Sequence, residues 1–158
     1  MIGFKICNSA KEMFEEDLTE IIEGYQKSAE NTIQGKIAQF GKCDQDFYRK
    51  MYEELEKNSG FSFSYLIITD GERNIGVAII EIAKQSHYDF KVAILNSVFI
   101  LPQYRKFNAG KQLIEFASYQ AKKQGAKAMY LTAPVGSRLE RIYNRFYIKT
   151  DTVFLKEL

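Results

Sequence analysis

The chain has 158 residues, of which 46% are hydrophobic and 27% charged, the size of one ordinary domain and too apolar for a disordered chain. Its net charge of +2, from 22 basic and 20 acidic residues, gives no compositional claim on nucleic acid, and no apolar run approaches the roughly 20 residues that cross a bilayer. The start, Met1 to Ile6, lacks the basic residues and long apolar stretch of an export signal, so Cys7 and Cys43 are expected as reduced thiols in a cytoplasmic protein.

Residues 4–7 read as a short first strand. Ser9 followed by Glu12 is a capping-box spacing, and Met13, Phe14, Leu18, Ile21, Ile22 and Tyr25 then recur at helical intervals, which predicts a helix over 10–25. The signal weakens over 26–43, where Ile33, Ile37 and Phe40 stand around two glycines. Asp44 can cap a further helix carrying Phe47, Tyr48, Met51, Tyr52 and Leu55 on one side, and Asn58-Ser59-Gly60 ends it. The texture then changes to aromatic and β-branched residues. Phe61–Thr69 and Ile75–Ala83 are two strands joined by the turn chemistry of Asp70 to Asn74, so the pair reads as a hairpin. Phe90–Ile100 is a long strand ending at Pro102. A helix follows over 109–124 with Leu113, Phe116, Ala117 and Ala121 inward, and Gly125 stands at its stop. Ala128–Thr132 is a short strand. Ser137 and Glu140 repeat the capping-box spacing and open a helix, and Tyr147–Leu155 reads as a last strand.

The order predicts a single α+β domain over 1–158. It has a mixed, mostly antiparallel central sheet flanked by helices. The strand–helix–strand unit near the C-terminus should be right-handed and parallel.

The informative stretch runs from Val98 to Leu113. An apolar strand ends at a proline and passes through a short polar loop, Arg105-Lys106-Phe107-Asn108-Ala109-Gly110, into an amphipathic helix that opens with Lys111. Such a loop points backbone N–H groups into one concavity at the positive end of a helix, which suits a diphosphate. Gly110 supplies the small residue that close approach of a phosphate demands, and Asn108 is one of the few side chains that tolerate positive φ. On one glycine alone the loop is equally an ordinary strand-to-helix connection.

These residues resemble the signature of the GNAT superfamily of acetyl-CoA-dependent N-acetyltransferases, in which an apolar strand and a proline precede Arg-x-x-Gly-x-Gly or Ala. Asn108 stands where the first glycine usually is. The segment Leu139 to Phe146 resembles the family's late helix with its tyrosine, although Tyr147-Ile148 replaces the closing glycine-aromatic pair and Gly136 replaces an asparagine. The resemblance implies transfer of an acetyl group from acetyl-CoA to an amine of a small molecule or protein by direct attack. It implies that main-chain groups of Val98, Phe99 and Ile100 hold the pantetheine arm, with an N–H near Phe99 or Ile100 polarising the acetyl carbonyl. The loop residues Arg105 to Lys111 would hold the diphosphate. Tyr143 would protonate the departing thiolate, against the alternative of a core aromatic. Glu81, the one acid inside the strand Ile75–Ala83, is the candidate base, against the alternative of a solvent-facing strand residue. The lone His87 reads as a surface residue. Tyr25, Phe47, Tyr48 and Tyr52 are expected at the acceptor wall or in the core.

No metal is expected, and a homodimer is compatible with the resemblance. A second reading keeps the fold but makes it a catalytically impaired module that binds CoA or a partner. A nucleic-acid reading has only the C-terminal basic residues behind it and no reading element.

Overall fold

The computed structural model describes residues 1–30 and 44–151. Among these the chain forms β1 (Ile2–Cys7), α1 (Ala10–Glu15), α2 (Thr19–Glu30), α3 (Gln45–Asn58), β2 (Ser62–Asp70), β3 (Arg73–Lys84) and β4 (Lys91–Ile100). It continues through a 3-10 turn (Pro102–Phe107) to α4 (Ala109–Lys123), β5 (Ala126–Leu131) and α5 (Arg138–Phe146). The strands lie in the order β1-β2-β3-β4-β5. Neighbours are antiparallel except β4 and β5, which run parallel on either side of α4. The fold is α+β with a five-stranded mixed sheet flanked by helices, as the sequence predicts.

Both faces of the sheet are buried, which is why Tyr65 to Ile68 is a continuous apolar run and does not alternate with polar residues. Leu66, Ile68, Ile80 and Leu95 face α4, where they meet Leu113 and Ala117. Tyr65, Ile67, Ile79 and Phe99 face the other way, against Met13, Leu18 and Ile21 of the N-terminal helices and Tyr52 of α3. Gly76 allows β3 and β4 to lie close: a Cβ there would come within 2.5 Å of the Phe99 carbonyl oxygen and 2.9 Å of Ile68. The buried free thiol is Cys7; Cys43 lies outside the described residues.

Two expectations are corrected. The helix predicted over 10–25 is two helices, because Glu16 is extended (φ −73°, ψ 150°). Gln45 of α3 fixes the break: its amide donates to the carbonyls of Phe14 and Glu16 at 2.8 and 2.9 Å, and its oxygen accepts from Leu18 N–H at 3.2 Å. Asp17 then accepts from Thr19 N–H at 3.1 Å and starts α2. The last strand predicted over 147–155 does not form over residues 147–151, where Ile148 is exposed; residues 152–155 lie outside the described residues. Strand propensity supplies no neighbouring edge to pair with.

Candidate active site

The site begins with a bulge. Ile79 of β3 pairs with Ser97 while Ile80 pairs with Leu95, so Asn96 is the extra residue in β4. The parallel pairing of β5 also stops there, at Leu95 opposite Leu131. Lys91 to Leu95 are therefore paired on both edges, whereas Ser97 to Ile100 pair only with β3. Parity decides which groups face the open edge. Leu101 N–H donates to the Ile75 carbonyl at 2.9 Å, so Phe99 and Ser97, two and four residues back, also turn their main-chain groups toward β3. Val98 and Ile100 turn theirs to the open edge. The Phe99 amide is thus spent within the sheet, and Phe99 contributes its ring instead.

The turn after β4 is built around Asn108, the sole non-glycine among the described residues with positive φ (55°). The left-handed conformation ends the 3-10 turn and starts α4 in a single residue, and the Asn108 side chain makes no capping hydrogen bond. The first-turn amides of α4 are left without a side-chain cap at the positive end of the helix. Ala109 is fully buried and anchors the turn in the core, while a Cβ on Gly110 would meet nothing within 4 Å, so the space beside that residue is open. Arg105 is half-buried. Its Nε donates to the Ile100 carbonyl at 2.8 Å and its guanidinium lies 5.1 Å from the Phe99 ring centroid, so it braces the end of β4. Burial, and then the positive charge of Arg138 at the start of α5, pull its pKa below the ordinary arginine value. The positive field that Arg105 and Arg138 share favours an anion. Lys106 is exposed, Lys111 lies 3.6 Å from Glu115 in an exposed pair, and the Phe107 side chain lies outside the described residues.

Tyr143 is 8% exposed and packs in the apolar cluster on the α4 face, against which Val98 and Leu131 of the two diverging strands also pack. Its helix is set by the Ser137 cap, whose hydroxyl accepts from Glu140 N–H at 3.1 Å while Glu140 accepts from Gly136 N–H at 2.6 Å. The Tyr143 hydroxyl is buried and has no hydrogen-bond partner among the described residues. Burial, then the neighbouring Tyr147 phenol, push its pKa above the ordinary tyrosine value, so it keeps its proton. Leaving a buried hydroxyl unpaired costs about 1–3 kcal/mol, which a ligand group beside it would offset. The uncapped amides, the space at Gly110 and this hydroxyl suit a phosphorylated thiol lying along the open edge.

On the opposite face, Ser97, Val98 and Phe99 line a cavity of about 100 Å³ together with residues of α1, α2 and α3. Tyr25, Tyr48 and Tyr52 are in its wall; Phe47 is not, being 52% exposed and edge-on to Tyr48. Glu81 stands on this same face of β3, two residues along from the cavity residue Ile79, and accepts from the Asn96 side chain at 2.7 Å. The bulge residue thereby orients the carboxylate. Burial raises the Tyr52 pKa, the hydrogen bond with Ser97 opposes it, and the charge of Glu81 is among the groups felt there. His87 is exposed in a turn. Sequence reasoning missed Asn96 and Ser97 as site residues. Two adjacent polar residues inside an apolar strand were the available signal for the bulge.

Comparisons with known proteins agree with this fold. The chain superposes on a GNAT family acetyltransferase from Staphylococcus aureus at a TM-score of 0.69 and 16% identity, covering 99% of this chain and 98% of that one. It superposes equally on the ribosomal-protein-alanine N-acetyltransferase of Brucella melitensis biovar Abortus (TM-score 0.69, 14% identity, 100% and 99% covered). An aminoglycoside N-acetyltransferase in complex with CoA gives a TM-score of 0.63 at 17% identity, with 100% and 95% covered. No curated protein matches the sequence significantly. At these identities the structures speak for the fold alone. The family model for the acetyltransferase (GNAT) family, however, matches residues 16–146, from the break before α2 to the last residue of α5. That span takes in the bulge, the open edge and Tyr143, and so the chain belongs to the GNAT family of acetyltransferases.

Proposed function

We propose that this acetyltransferase uses acetyl-CoA and passes the acetyl group to an amine by direct attack, within one domain spanning 1–158. Acetyl-CoA supplies an activated acyl thioester; the chain supplies position, polarisation and two proton transfers. The α4 first-turn amides, with Arg105 and Arg138 nearby, hold the diphosphate. The open edge of β4 pairs with the pantetheine arm, and the Val98 N–H, next beyond the bulge, is the donor to the acetyl oxygen. Glu81, held by Asn96, accepts the proton that the amine must lose before it attacks. The Tyr143 hydroxyl donates the proton that the sulfur needs on departure. No side chain is acylated, since the acceptor and the thioester meet on the two sides of one strand.

The reading is carried by one observation: β4 is paired on one edge only from Ser97 to Ile100, with a buried, unpartnered phenol packed in the cluster that Val98 also joins. Its test is a thermal-shift titration with CoA and acetyl-CoA, paired with thiol release in the presence of amines. Saturable stabilisation by both nucleotides is expected, and an unmoved transition at millimolar CoA would overturn the proposal.

A further inference from the structure

Resting on the acetyltransferase reading, we infer that the acceptor is a monoamine whose body is a single aromatic ring or a branched aliphatic chain, seated in the cavity between β4 and helices α1 to α3 with its nitrogen toward Glu81. Three observations carry this.

The first is the wall. Met13, Leu18, Ile21 and Phe99 are its buried floor, Tyr25 and Tyr52 its aromatic side, and none of the described lining residues carries a charge. A polyamine or aminosugar placed there would bring two or more ammonium groups against apolar surface, and each unpaired buried charge is costly. Glu15, Glu16, Asp17 and Asp46 line a separate depression beyond Phe14, where Lys5 already pairs with Glu16, and Arg49 and Lys50 with Asp46.

The second is size. A cavity of about 150 Å³ accepts a benzene ring, whereas drug-sized ligands take about 300–1,000 Å³. The cavity of about 100 Å³ here is of the order of the first and well below the second, which fits one ring or one branched chain better than a multi-ring sugar.

The third is polarity at one end. The carboxylate on this face of β3 stands two residues beyond the cavity residue Ile79, beside the bulge, and Asn96 orients it. One acid at one end selects one ammonium group.

The test is a panel of four acceptors on the full chain: 2-phenylethylamine, isoamylamine, spermidine and kanamycin. Acetyl-CoA stabilisation is measured separately by thermal shift. A kcat/KM for phenylethylamine or isoamylamine at least 10-fold above both polycations is expected, within the range that apolar pockets deliver. Equal rates, a preference for spermidine or kanamycin, or no acetylation of any of the four by a chain that binds acetyl-CoA would each overturn the inference while leaving cofactor binding intact. A chain that does not bind acetyl-CoA overturns the underlying reading instead. As a second arm, Val77→Phe fills the cavity from β3. The KM for phenylethylamine should rise about 10-fold with acetyl-CoA stabilisation unchanged, and an unchanged KM would show that the amine sits elsewhere.

Discussion

The two sides of the Asn96 bulge are built from different materials. On the open edge the chain presents main-chain groups: the Val98 and Ile100 edge, the α4 amides and the αL residue Asn108 that sets their direction. On the α1–α3 face it presents side chains drawn from five elements, with Met13, Tyr25, Tyr52, Ile79 and Phe99 meeting from α1, α2, α3, β3 and β4. A main-chain site tolerates substitution so long as the backbone path is kept, which is how Asn108 can replace a glycine. A side-chain site changes its ligand with each substitution. One face is therefore suited to a ligand shared by a family, and the other to a ligand that distinguishes its members.

Three measurements would break or sharpen that contrast. The largest effect is expected at Tyr143, the one side chain on which the edge depends. Tyr143→Phe should lower kcat about 100-fold with stabilisation by CoA retained, because the ring still fills its place in the core. Normal turnover in that variant would return Tyr143 to a packing role. A smaller effect is expected on the other face. Glu81→Gln should slow acetylation of an alkylamine about 10-fold and spare methoxyamine, whose weakly basic nitrogen is already neutral at pH 7. Equal losses with both nucleophiles would remove Glu81 as the base.

The smallest effect concerns the packing behind the acceptor wall. Burial, followed by the negative charges of Glu12 and Glu16, raises the Cys7 pKa from 9.0 to about 11. The folded chain therefore holds that proton longer than the unfolded chain does. Stability from this group is complete below pH 9 and falls by about 1.4 kcal/mol per pH unit until the folded thiol itself titrates. Chemical denaturation between pH 8.5 and 10.5 should show this slope, and Cys7→Ala should flatten it. An unchanged slope in the variant would assign the alkaline loss to other groups.

Much of the fold could be read in advance because its signals are local. Ser9, Asp44 and Ser137 each cap a helix through a donor three residues on, at 3.2, 2.8 and 3.1 Å. The Asp70–Gly71 turn and the apolar runs on either side of it give β2 and β3. The loop after Pro102 was legible for the same reason: a turn that reverses a strand into a helix must pass through a conformation few residues accept, and Asn108 declares it. The α1–α3 face was less legible. Phe47 and Tyr52 are both aromatics on one predicted helix, yet one lies in solvent and the other in the cavity wall.

The sequence by itself determined most of the elements, three helix caps, the parallel unit around α4 and the left-handed turn at Asn108, since each depends on residues within a few positions of one another. Only the tertiary structure decided the break at Glu16, which Gln45 imposes from 29 residues away. It also decided the extra residue in β4 and the edge to which each amide turns. These depend on which strand or helix lies alongside, and a residue's own neighbours in sequence carry no record of that.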